Sequence, residues 1–156
     1  MINLNELAES IETGAISVGG RSVEVRALTA TEHALLLVAM PKPRPPMVKD
    51  PARGSAAPRI PGDDDPKYLL ELESWYALLR AATVGVACRV QLDDQPWPLT
   101  LEKVFIVTLA GSLLDRLPLP MIERLYRAQQ RLARGQTAEE EHSPAGAEDE
   151  NPTTPG

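Results

Sequence analysis

A chain of 156 residues with 43% hydrophobic and 4% aromatic residues has the length for one domain core plus non-core segments. Its single cysteine, Cys88, excludes an internal disulfide and a cysteine-built metal site. The formal net charge of −6 resides in Glu139, Glu140, Glu141, Glu148, Asp149 and Glu150; before them 16 acids and 16 bases cancel, which leaves the body no electrostatic footprint for nucleic acid.

The opening MINLNELAES lacks the basic and apolar regions of a secretory leader. The longest uncharged run, residues 104–114, falls short of the roughly 20 residues that span a bilayer. Together these features predict a cytoplasmic protein with no membrane partner. Asn3 and Glu6 have capping-box spacing, and Leu4, Leu7, Ala8 and Ile11 form one apolar stripe, predicting a helix over 3–13 stopped by Gly14.

A hairpin follows: residues 15–18, the turn Gly19-Gly20, then residues 21–26, in which Val23 and Val25 share a face. A lone hairpin is marginal in water, so the neighbouring helices are expected to cover its valines. Thr29-Ala30-Thr31-Glu32 is a second capping box, in which hydroxyl and carboxylate would each satisfy a backbone N–H. The helix it opens is apolar almost all round and stops at Pro41.

Residues 41–66 contain eight prolines and only Met47, Val48 and Ile60 as larger apolar residues. Such a composition predicts an extended, polyproline-like excursion or a mobile loop, because little burial offsets the entropy of ordering it. Asp63, Asp64 and Asp65 then precede Pro66, a helix N-terminus, and residues 66–88 form the longest helix, with Leu69, Leu72, Tyr76, Leu79, Thr83 and Val86 on one face and Trp75 at its edge.

Residues 90–98 form a connector with room for a short strand. Thr100 is expected to cap a helix to about Leu117; its β-branched centre would also suit a buried strand, but the apolar pattern through Leu113 and Leu114 favours helix. Pro118 and Pro120 break it, and residues 121–133 make a last amphipathic helix bearing Arg124, Arg127 and Arg131, ended by Gly135. The acidic remainder has the composition of a disordered tail. Four parts result: 1–40, a flexible insert 41–66, a helical body 67–134 and the tail 135–156. The fold class is mainly α with a small N-terminal β-hairpin, with a bundle-like helical body.

No residue set carries catalysis. His33 and His142 lack a second ligand at metal spacing, three consecutive aspartates cannot all converge on one ion, and Gly19-Gly20 opens no phosphate loop. Cys88, at an apolar helix end, reads as a small packed residue. The arginines of the last helix read as a solvated face, since Glu123 and the acidic tail oppose nucleic-acid binding. A non-enzymatic protein without cofactor or metal is expected.

The segment GRSVEVRALTATE, residues 20–32, resembles tail assembly chaperones of long-tailed bacteriophages. Those small proteins often open with a strand pair ending in Val-x-Val-Arg (here Val23, Val25 and Arg26), then Leu-Thr (Leu28 and Thr29) capping a helix that holds an acid (Glu32). Motif resemblance covers about the first forty residues, and the insert at 41–66 departs from the family's compact pattern. The resemblance implies a cytoplasmic factor that binds the tape-measure protein and helps recruit tail tube protein; the alternative is a structural virion component, a tail or head–tail connector subunit. Apolar helix faces suit a polypeptide client, which makes Leu36, Leu37, Met40, Leu72, Trp75, Tyr76 and Leu79 the candidate partner-binding residues. Self-association into a homo-oligomer is compatible with the same surfaces.

Overall fold

The computed structural model describes residues 13–18, 20–50, 52, 54 and 58–138. Strands β1 (Thr13–Val18) and β2 (Arg21–Arg26) precede helix α1 (Ala30–Ala39), strands β3 (Met47–Lys49) and β4 (Arg59–Pro61), and helices α2 (Pro66–Ala87), α3 (Lys103–Arg116) and α4 (Leu119–Ala133). The architecture is mainly α with a small N-terminal hairpin. Residues 1–12, which hold all but the end of the helix expected over 3–13, lie outside the described residues; that end is corrected, because Thr13 and Gly14 belong to β1.

β1 and β2 pair antiparallel with Val18 opposite Arg21 across the two-glycine turn, where Gly20 takes a φ of 77°. Period-two alternation turns Ile16 and Val25 into the core, and the last helix, α4, receives the hairpin. Gly14 faces Ala138 with no room for a Cβ between them, which ties the chain beyond α4 to β1.

Thr29 caps α1 by accepting the Glu32 N–H at 3.2 Å. The reciprocal arm expected of Glu32 is not made: its Oε1 accepts from Arg26 Nη2 at 2.9 Å, joining β2 to the first turn of α1. A full positive charge outcompetes a backbone amide for this carboxylate, and both side chains lie mostly out of solvent. The other atoms of the pair, Arg26 Nε and Glu32 Oε2, are buried without partners.

The 41–66 segment differs from the structureless excursion that its composition predicts. Met47–Lys49 and Arg59–Pro61 form a three-pair antiparallel ladder, extended by the Gly62 N–H donating to the Pro46 carbonyl at 2.7 Å. Because Pro46 and Gly62 form a bonded pair, the next pair, Met47 and Pro61, turns its backbone groups to the free outer edges, where the missing donor of Pro61 disrupts little.

Asp65 caps α2, its carboxylate accepting the Tyr68 N–H at 2.9 Å, with Pro66 at the first helical position. At ~1.5 Å per residue the 22 residues of α2 extend roughly 33 Å. Only its second half is enclosed: every residue from 81 to 87 is buried. Helix α3 packs there, turning Ile106, Leu109, Ala110 and Leu113 inward while Val104 and Val107 stay exposed, the helical alternative for this β-branched run. Its N-cap is Glu102, without a side-chain hydrogen bond, so Thr100 does not cap it. Likewise Pro120 does not end a helix but sits in the first turn of α4, where no intrahelical N–H is required. Residues 90–98 contain no strand; a turn with Asp93 at φ 49° replaces it.

Helix α4 buries Ile122, Leu125, Ala128 and Leu132 and ends in a Schellman motif: Gly135, at φ 71°, donates to Leu132 O and Gln136 to Arg131 O at 2.8 Å. Residues 136–138, assigned by sequence to the tail, return to the body; Arg131 Nε donates to Thr137 O at 2.9 Å and Ala138 is buried.

Gly85 sets the α2–α3 approach. A Cβ there would lie 2.6 Å from Leu109 Cδ2 and 2.7 Å from its Cγ, whereas one at Gly111 of α3 meets nothing within 4 Å. We predict opposite signs for two identical substitutions. Gly85→Ala destabilises by about 1–3 kcal/mol through overpacking, while Gly111→Ala stabilises by up to about 1 kcal/mol through helix propensity; urea denaturation measures both.

Candidate functional site

The first half of α2 is the unusual feature of the surface. Leu69, Leu70 and Tyr76 are exposed there, Leu70 at 66%, and across the α1 side Leu37 and Val38 are exposed, Val38 at 78%. Met47, Val48 and Ile60 of the β3–β4 ladder are exposed as well. Polar residues normally occupy the free face of a helix, so several exposed branched side chains on α1 and α2 make this surface a candidate contact site.

Trp75 organises this region. Its Nε1 donates to the Met40 carbonyl at 2.8 Å, pinning the end of α1 to the middle of α2. The ring also lies 4.8 Å from that of Tyr76 in a tilted pair. Beside it runs a shallow apolar groove of about 430 Å³, walled by Leu70, Trp75, Leu78 and Pro43 and edged by Lys67 and Glu71. The α2 positions 67, 70, 71, 74, 75 and 78 follow the three-and-four spacing of one helical face.

Of the residues expected to bind a partner, Leu37 and Tyr76 are exposed, and Leu72, Trp75 and Leu79 are half-buried. Leu36 and Met40 are corrections: they are 0% and 6% exposed and belong to the core, because the stripe they share with Ala39 faces α2 and α3. The apolar face expected along Leu69, Leu72, Tyr76, Leu79, Thr83 and Val86 does not include Leu70, and the expected partner-binding set lacks Val38, Leu70 and Pro43, which are exposed or line the groove. Spacing alone could have found the stripe Leu70, Trp75 and Leu78; nothing in the sequence says where along α2 burial begins.

A second concavity lies at the opposite end of α2. The hairpin, the C-terminal ends of α2 and α3 and the start of α4 enclose a cleft of about 450 Å³ floored by Val84, Leu113, Met121 and Leu125. Cys88 lines it, and burial pushes its thiol from 9.0 up to about 11. Cys88 stays protonated near neutrality and is therefore a poor nucleophile. His33 is exposed on α1, and among the described residues no group of three His, Cys, Asp or Glu side chains could hold a metal ion. No helix among them is long and apolar enough to cross a membrane.

The arginines of α4 are divided in role. Arg124 and Arg127 are exposed, whereas Arg131 closes the chain after α4. Arg80 of α2 lies 5.7 Å over the Tyr126 ring and 3.8 Å from Glu123, an α2–α4 contact. Comparison with known protein families, with curated proteins and with solved structures yields no match.

At pH 8 the Cys88 thiolate fraction is depressed roughly a hundredfold relative to an unfolded chain, so alkylation by iodoacetamide is expected to be slower by about that factor in native than in urea-denatured protein. The sign of the linked stability follows: between pH 9 and 11 the unfolded thiol loses its proton while the folded one keeps it, so stability falls as pH rises through that window. Cys88→Ala would remove that part of the pH dependence in alkaline thermal melts.

Proposed function

We propose that the protein acts by binding another polypeptide, as a phage tail assembly chaperone whose client is the tape-measure protein and whose action assists assembly of tail tube protein around it. The single observation carrying this reading is the exposed apolar surface of α1 and the first half of α2, with Val38 presented to solvent on α1 and Leu70 exposed at the Trp75 groove on α2. An amphipathic helix laid into an apolar groove is a recurring mode of polypeptide recognition. The acidic composition of residues 139–156 supports it, since net charge near an apolar surface opposes aggregation of chaperone and client. The paired Val-x-Val-Arg strand and Thr29-capped helix supply the link to tail assembly chaperones. Host cytoplasm is the compartment this role requires, and no cofactor takes part.

Co-expression tests the proposal. The tape-measure protein encoded with this chain is expected to remain soluble and co-purify with it, and the double variant Val38→Ser, Leu70→Ser to recover at least fivefold less client while keeping its own thermal midpoint. A tape-measure protein that stays insoluble and never co-purifies contradicts it. Stoichiometric presence of the chain in mature virions, read by mass spectrometry, would instead identify a structural tail or connector subunit.

A further inference from the structure

The cleft at the hairpin end of α2 is separate from the apolar face and differs in chemistry. Its floor is apolar, but Arg21 and Arg116 stand among its lining residues and no carboxylate does. Arg21 continues the inward-facing row of β2 after Val25 and Val23, at the hairpin tip. Arg116 lies one helical turn beyond Ser112 on α3, so both project from the same face into the cleft. Both arginines are exposed, and neither has an ion-pair partner among the described residues. Two unpaired guanidiniums beside an apolar floor without opposing acid define the complement: apolar side chains flanked by carboxylates, which guanidinium groups grip in a bidentate way.

The polar groups of the wall identify the bearer of those carboxylates. Gln91 Nε2 donates to Gln95 O at 2.9 Å, which leaves its Oε1 to accept, and the Ser112 hydroxyl has no hydrogen-bond partner among the described residues. Polar groups along an apolar wall match the polar side chains that flank the apolar ones on a polypeptide helix, which a fatty-acid chain lacks. Two cations on different elements, Arg21 on β2 and Arg116 on α3, offer separate partners to two carboxylates. A volume of about 450 Å³ accommodates two or three large apolar side chains.

We propose that this cleft is a second polypeptide-binding site, selective for a helical segment that presents leucine-like side chains one turn apart with glutamate or aspartate beside them. It goes beyond the proposed function. The α1–α2 face selects only for apolar surface, while the cleft reads charge as well and would fix where along a client, and in which orientation, the protein sits.

Fluorescence anisotropy with the full-length chain tests it. The probe is a fluorescein-labelled 15-residue helical peptide carrying Leu at two positions four apart, flanked by two Glu. Matched peptides replace Glu with Lys, or Leu with Ala, and dodecanoate below its micelle concentration is the small-molecule comparison. The Glu/Leu peptide is expected to bind at least tenfold more tightly than either matched peptide. Arg21→Gln with Arg116→Gln should weaken it tenfold or more without moving the thermal midpoint, whereas Val38→Ser with Leu70→Ser should leave it unchanged. That last arm separates failure of the cleft from failure of the apolar face. Occupancy should also slow alkylation of Cys88, which lines the cleft. Equal binding of the Lys peptide, full affinity in the arginine double variant, or binding of dodecanoate without binding of the peptide would overturn the proposal.

Discussion

The close approach of α2 and α3 at Gly85 is the constraint on which the other features depend. Leu109 and Leu113 sit where any side chain at position 85 would have to be, so the two helices pack backbone to side chain. That contact covers one side of residues 81–87 of α2 and leaves α1 and α4 to complete the shell that buries them. It also fixes α2 at one end only. The first half of the helix is therefore more exposed, held by the Trp75 bond to the end of α1 and by the burial of Tyr68. The exposed leucines are a consequence of this geometry.

Seen this way, the fold divides its work along one helix. The enclosed half supplies stability through small and β-branched residues that pack densely, Ala81, Ala82, Val84 and Val86 among them. The more exposed half supplies surface. Each end of α2 has its own concavity: an apolar groove beside Trp75, and an arginine-edged cleft beneath the hairpin. The hairpin contributes twice, burying Ile16 and Val25 against the helices and carrying Arg21 to the cleft. The Arg26–Glu32 pair ties the hairpin to the first turn of α1, a mechanical joint between the two elements.

Local chemistry was the readable part of the sequence. The glycine turn, the Thr29 cap, the Asp65-Pro66 start of α2 and the Gly135 stop are decided by residues within a few positions of each other, and each forms as its chemistry requires. Tertiary competition was not readable. Glu32 abandons the capping box because Arg26, six positions earlier, lies across the joint. The proline-rich segment pairs where its few larger apolar residues fall, Val48 opposite Ile60 and Met47 opposite Pro61, a placement that composition does not show. For the candidate site, periodicity identified the right helices but not their inward faces: Leu36 and Met40 point into the core while Val38, between them, points out. A helix apolar almost all round has no preferred face until its neighbours are known.

Hydrogen exchange along α2 measures the central claim, that one continuous helix is half core and half display. Amides from 84 to 88 should exchange only through global unfolding, with the full stability of the domain, while those from 70 to 76 exchange at least a hundredfold faster through local opening. Equal protection along the whole helix would contradict the account, because the first half would then be as firmly enclosed as the half packed on α3.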